Sequence, residues 1–209
     1  MARRISEGFE VSIVVLTDGR YAFSKAFGIE SNPTPEELKK IRHDEVVRAT
    51  SILGVPKDDL VFLDFEDGRL EDHMEEAQAD VNEILDKNHV AEVYFPYEND
   101  FHPDHRVTSH IVREAIDGSN NSLSAYQYSI LHKYGRIGPI IDSLLKVLKQ
   151  KIVTVDVKKF LPLKKAAMKE FKSEFEIISE GQEKPLADAR LVQKFLKSEE
   201  KFYISRARK

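Results

Sequence analysis

Three short apolar runs, Phe9–Leu16, Leu60–Asp64 and Ala91–Pro96, alternate with longer helical segments in the first half of this chain. That alternation restricts the fold more than any other feature, because strand–helix–strand repetition is the pattern of a parallel sheet with crossover helices. Phe9–Leu16 is nearly continuous, which suits a strand buried on both faces, and it ends at Thr17-Asp18-Gly19. A loop is expected through about Pro33. Thr34-Pro35-Glu36-Glu37 then supplies an N-cap, a first-turn proline and a capping-box glutamate, which open a helix running to Leu53 and stopping at Gly54. Further helices are expected over Glu71 to Lys87 and Asp104 to Ile116, with a turn at Gly118-Ser119-Asn120-Asn121. The second half reads as a strand from Ala125 to Leu131, a helix from Ile137 to Gln150 and a strand from Ile152 to Val157. Helices over Pro162 to Phe175 and Pro185 to Leu196 and a short end around Phe202 complete it.

A length of 209 residues, 41% of them hydrophobic and 33% charged, suits a single domain over residues 1–209, with no internal repeat. Basic residues number 32 against 36 acidic ones, for a net charge of −4. That balance favours neither nucleic acid nor an anionic membrane surface as a partner. No apolar stretch approaches the length of a membrane span, and Met1-Ala2-Arg3-Arg4 leads into polar residues instead of an apolar signal region. The expectation is therefore a cytoplasmic protein acting on a small molecule; composition leaves a homo-oligomer open. The chain has no cysteine, so any metal must be held by His, Asp, Glu or water, a donor set that suits zinc best.

The densest chemistry lies in His102-Pro103-Asp104-His105, directly after the apolar run ending at Pro96 and a short acidic loop. The C-terminal ends of parallel strands are where open α/β sheets bind ligands. Pro103 disfavours helical backbone at His102 and fits the first turn of a helix, so both imidazoles can face one cleft. A hydrolytic zinc usually takes three protein ligands and a water, so the tetrad is part of a site. Its plain structural alternative is a helix start in which Asp104 complements the dipole. His43, His73, His89, His110 and His132 have no spacing partner and read as surface or packing residues. Tyr126, Tyr128 and Tyr134 fit core packing better than a pocket wall.

The first residues form a further signal. Ala2 to Glu7 has the character of a helix's last turn, cationic residues included, with Gly8 just past its end. A single turn does not offset the cost of helix nucleation, so the segment either frays or continues a longer helix.

Taken in order, Val14-Val15-Leu16-Thr17-Asp18-Gly19, Arg42 with Glu45 and Ala49, Leu53-Gly54-Val55, Phe62-Leu63 ahead of Asp67-Gly68, and the His102–His105 tetrad closely resemble the PIG-L/LmbE-type zinc-dependent N-deacetylases. Lys165-Ala166-Ala167-Met168, Ser173, Glu200 and Phe202 resemble that family's tail. The resemblance implies a Rossmann-like domain that hydrolyses the N-acetyl group of a glucosamine-containing compound. It also implies His105 as a zinc ligand, His102 as the group that steadies the oxyanion, and Asp104 as the residue orienting a neighbouring imidazole. Arg42 and Asp67 correspond to sugar-contacting positions. Read as plain structure, Arg42 is a solvated helix residue paired to Glu45 or Glu37, and Asp67-Gly68 is a turn.

One departure is large. The family's Ala-His-Pro-Asp-Asp-Glu signature, which supplies two further zinc ligands and a general base, does not occur in these 209 residues. By resemblance, the family's first strand, central in the sheet, is missing from the N-terminal side of this chain. The expectation is a fold without that strand and a chain that is inactive as it stands, its longer form being the deacetylase. The alternative is a non-catalytic relative that binds or assembles; a two-metal phosphoesterase is disfavoured for want of carboxylates at strand ends.

Overall fold

The computed structural model describes residues 1–88, 90–119, 123–130, 151–187 and 189–205. In chain order the elements are α1 (Ala2–Ser6), β1 (Ile13–Thr17), α2 (Ala22–Phe27), α3 (Pro35–Ile52), β2 (Leu60–Phe65), α4 (Met74–Lys87), β3 (Glu92–Pro96), α5 (Pro103–Gly118), β4 (Ser124–Tyr128) and β5 (Ile152–Asp156). They continue through α6 (Leu161–Lys169), α7 (Lys172–Phe175), α8 (Ala189–Phe195) and β6 (Glu199–Ser205). These fall into two units: Met1–Gly68 with Asp156–Glu200, and Arg69–Val155 with Lys201–Lys209. The result is a mixed α/β fold in which parallel strand pairs carry crossover helices, as the alternation of runs implies.

In the first unit β1 and β2 pair in parallel, Ile13 opposite Leu60 and Val15 opposite Phe62. The strand is shorter than the run Phe9–Leu16. The β2 ladder begins only at Leu60, after a 3₁₀ turn over Lys57–Asp59, so residues ahead of Ile13 have no partner there. Phe9 is left half exposed, with the Arg4 guanidinium 5.2 Å from its ring centre. Nor is β1 buried on both faces; all its residues are half-buried, in keeping with one strand neighbour among the described residues. The capping box on α3 forms as expected, Thr34 accepting from the Glu37 N–H and Glu37 accepting from Thr34. Those hydrogen bonds hold the Glu37 carboxyl below its ordinary range. Leu38, Glu45 and Ala49 are buried and recur at intervals of seven and four, one face of the helix. Helix α2, within the expected loop, ends on Gly28 in the left-handed region (φ 70°) and buries Phe23. The helix expected over Pro162 to Phe175 is divided at Glu170–Phe171 into α6 and α7.

The second unit begins with a 3₁₀ turn over Leu70–His73 that leads into α4. Ala77, Val81 and Leu85 of α4 and Ile111, Val112, Ala115 and Ile116 of α5 are buried at helical spacing. The sheet runs β3-β4-β6-β5. β3 and β4 are parallel over five pairs, from Glu92 opposite Ser124 to Pro96 opposite Tyr128. The short end expected around Phe202 is in fact a seven-residue strand, β6, antiparallel to β4. Tyr126 packs against Tyr94 at 5.0 Å between ring centres. The expected helix Ile137–Gln150, and His89, His132 and Tyr134, lie outside the described residues. Among the described residues, no helix is long and apolar enough to cross a membrane.

Candidate active site

The ladder of β3 and β4 extends one residue beyond the strands, the Tyr97 N–H donating to the Tyr128 carbonyl at 2.8 Å. The chain then turns sharply, with the Asp100 N–H on the Tyr97 carbonyl at 3.0 Å. Two residues later α5 starts: His102 is its N-cap in extended conformation and Pro103 occupies the first turn. This backbone brings the two imidazoles together, ring centres 4.9 Å apart. Asp104 is 3% exposed and accepts from the Leu70 N–H at 3.4 Å. A ring nitrogen of His102 and a carboxylate oxygen of Asp104 lie within 4.8 Å of one another, close enough to serve one ion.

Asp100 is 2% exposed. Its Oδ1 receives His105 Nδ1 at 3.0 Å and the His102 N–H at 3.2 Å, and its Oδ2 receives the Ile130 N–H at 3.3 Å. Arg106 donates through Nη1 to the carbonyls of Asp100 and Phe101, at 3.0 and 2.8 Å, which clamps the loop to the helix it precedes. Gln127, on β4, reaches Ser109 of α5 at 2.9 Å in the buried interior, and Arg113 pairs with Glu98. Burial, together with the Asp100 charge, pushes the Tyr128 hydroxyl up to about 12.

The other two expected site residues lie in the first unit. Asp67 is buried in the loop after β2, accepting from the Tyr21 N–H at 3.2 Å and pairing with Lys25 Nζ at 3.2 Å. Gly68 turns the chain in the left-handed region (φ 79°), and a Cβ there would overlap Lys25 Nζ. Arg42 pairs with Glu174 at 2.7 Å, and not with Glu45 or Glu37. Glu45 instead accepts from the N–H and hydroxyl of Ser173, at 2.8 and 2.6 Å. Glu37 is held in the capping box. Arg42 Nη1 is buried and finds no hydrogen-bond partner among the described residues. Gly19 makes room for this guanidinium, since a Cβ there would overlap Arg42 Nε. Asp18, beside it, is a network carboxylate and more than a turn residue: its side chain is 1% exposed and takes Arg20 at 2.5 Å and Lys39 at 3.8 Å.

Sequence reasoning passed over Asp100, Arg20, Lys25, Lys39 and Glu174. Asp100 carried a usable signal, a carboxylate two residues ahead of a helix start, where Asx side chains take up local N–H groups. Glu174 carried none, because its partner lies 132 residues away.

A parallel-strand α/β fold whose strand end carries adjacent imidazoles and buried carboxylates is a Rossmann-like domain with a polar site at the carboxyl edge. The chain belongs to the PIG-L family: the GlcNAc-PI de-N-acetylase model matches residues 1–116. No curated protein matches the chain significantly. Among solved structures it is similar to N,N'-diacetylchitobiose deacetylase from Pyrococcus horikoshii, with a TM-score of 0.67 and 21% identity over 98% of this chain and 76% of that one. A deacetylase of the teicoplanin biosynthesis pathway gives a TM-score of 0.66 and 15% identity over 97% and 89%. GalB, the 4-carboxy-2-hydroxymuconate hydratase from Pseudomonas putida KT2440, gives 0.59 and 16% over 81% and 70%. At these identities the likeness is one of fold, and the fold hosts more than one reaction.

Proposed function

We propose that this chain carries the second half of a zinc-dependent N-deacetylase site whose substrate is an N-acetylglucosaminyl compound. Family membership supports deacetylation in general. The observation that carries the finer reading is the pair His102 and His105 at the end of β3, with His105 Nδ1 on the buried Asp100 carboxylate. A histidine whose second nitrogen is anchored on a carboxylate is the usual form of a metal-ligating imidazole, so the donor chemistry fits zinc. His105 is the residue that would hold the metal. When bound, zinc supplies Lewis acidity that activates water and polarises the acyl carbonyl. In this reading His102 would donate a hydrogen bond to the oxyanion that develops on that carbonyl oxygen, and Asp104 would orient an imidazole beside it. Arg42 Nη1 and the Asp67 carboxylate are the groups we assign to sugar hydroxyls, as charge-assisted donor and acceptor.

A second reading rests on one fact of sequence, that no His-Pro-Asp-Asp run occurs in the 209 residues. In that reading the chain is a non-catalytic relative that binds or assembles. On either reading the purified 209-residue chain binds zinc weakly and turns over near background, because the ligand set is incomplete. The experiment that tests the site assignment measures zinc by calorimetry and acetate release from N-acetylglucosamine and its dimer. Zinc binding that His105→Ala leaves intact would remove His105 from the metal site, and robust acetate release would show that other residues complete it. A site of this kind, with a small-molecule substrate and no membrane-spanning helix among the described residues, is consistent with a cytoplasmic protein.

A further inference from the structure

We propose that Asp100 is the positioning residue of this site: it holds His105 in the Nδ1–H tautomer and thereby presents the Nε2 lone pair. The inference rests on the reading of His105 as a metal ligand, and it assigns the task of orienting that ring to a residue outside the tetrad. A carboxylate oxygen only accepts, so the His105 nitrogen that lies 3.0 Å from Asp100 Oδ1 is the one that carries the proton. The neutral ring then has a single lone pair, on Nε2. The carboxylate is itself fixed from three sides. Oδ1 also takes the His102 N–H, Oδ2 takes the Ile130 N–H just past β4, and the Asp100 backbone is tied to Tyr97. Backbone groups at Tyr97, His102 and Ile130 therefore fix the loop carboxylate that sets the direction in which His105 points.

The same oxygen that holds the His105 ring holds the backbone of His102. A shift of Asp100 moves both histidines together, so the spacing of the two rings is built into one carboxylate. Arg106 makes the loop stiffer by gripping the successive carbonyls of Asp100 and Phe101. An amide at this position does not reproduce the set. With its oxygen toward His105 and His102, the side chain introduced by Asp100→Asn would aim an NH₂ at the Ile130 N–H; turned over, it would aim that NH₂ at His105 and favour the opposite tautomer.

The test is the tautomer of His105, read from long-range ¹H–¹⁵N spectra of histidine-labelled protein at a pH well above the ordinary histidine range. Its signals are identified by their loss in His105→Gln. We expect a protonated Nδ1 and a lone-pair Nε2 in the unmodified chain, without metal. An Nε2–H ring or an imidazolium in that spectrum overturns the proposal, and this measurement needs no variant of Asp100 to fold. In Asp100→Asn we expect Nε2–H signal to appear and zinc affinity to drop roughly 10–100-fold, as when an outer partner of a metal ligand is removed. A variant in which tautomer and affinity both stay unchanged would equally overturn it. Zinc affinity that His105→Ala leaves unchanged, with the tautomer as expected, would instead remove His105 from the metal site and leave the role of Asp100 in holding that ring standing.

Discussion

The buried aspartates of the two units keep different company: cations beside backbone donors in the first, an imidazole beside backbone donors in the second. In the first, Asp18 faces Arg20 and Lys39, and Asp67 faces Lys25, so negative charge is met by cations on long side chains. In the second, Asp100 and Asp104 are met by backbone N–H groups and an imidazole. Backbone donors are already fixed by strand and helix, and they cost little further ordering when the site works. Lysine and arginine side chains must be immobilised first and can swing toward a ligand. The contrast separates a corner held by backbone donors and an imidazole from one held by long charged side chains.

The largest test of that contrast is His105→Ala, expected to lower zinc affinity about 100-fold or more, whereas Arg42→Ala leaves zinc affinity unchanged; calorimetry on both variants decides it. Equal losses would erase the distinction between the two regions. Next comes alkaline stability. The Tyr128 hydroxyl titrates at about 12 in the folded protein against 10 for the ordinary group. A raised folded value means that stability is present in full below pH 10 and is lost as pH climbs toward 12, by roughly 2–3 kcal/mol. Tyr128→Phe should flatten denaturant midpoints over that window, and a curve as steep as that of the unmodified chain would show that other groups are responsible.

Glu45→Gln probes the first unit, where a carboxylate accepts from both the N–H and the hydroxyl of Ser173. Losing the charge on that buried acceptor should cost about 1.5–3 kcal/mol in urea denaturation. Arg48→Ala removes the exposed pair with Glu170 and should cost at most about 0.5 kcal/mol, the smallest effect of the series. Were Arg48 to matter as much as Glu45, packing of α3 against α6 would rest on surface charge instead of buried hydrogen bonds.

Local signals were readable. The capping box, Gly54 at the end of α3, the turn at Gly68 and the helix opened by Pro103 each follow from neighbouring residues, and each is where the sequence puts it. What escaped depends on partners far along the chain. The length of β1 is decided by where β2 begins, and β6 is a strand because β4 offers it an edge, not because Glu199-Glu200-Lys201 favours one. The tetrad was legible as a cluster of ligand types, but its orientation was not. That comes from Asp100, whose donors are spread from His102 to Ile130.

The bond between Glu45 and Ser173 spans 128 residues, and it lies in a unit assembled from two separate segments, Met1–Gly68 and Asp156–Glu200. During synthesis α3 leaves the ribosome with its buried glutamate unanswered, and the answer is polymerised roughly 6–25 s later at ordinary elongation rates. For that interval the nascent chain carries a solvated carboxylate on what will be an interior face. A charge there opposes premature burial of the helix against the wrong partner. Glu45 thus gains its hydrogen-bond partner only once Ser173 has been made, and the anchor of α3 is a late contact.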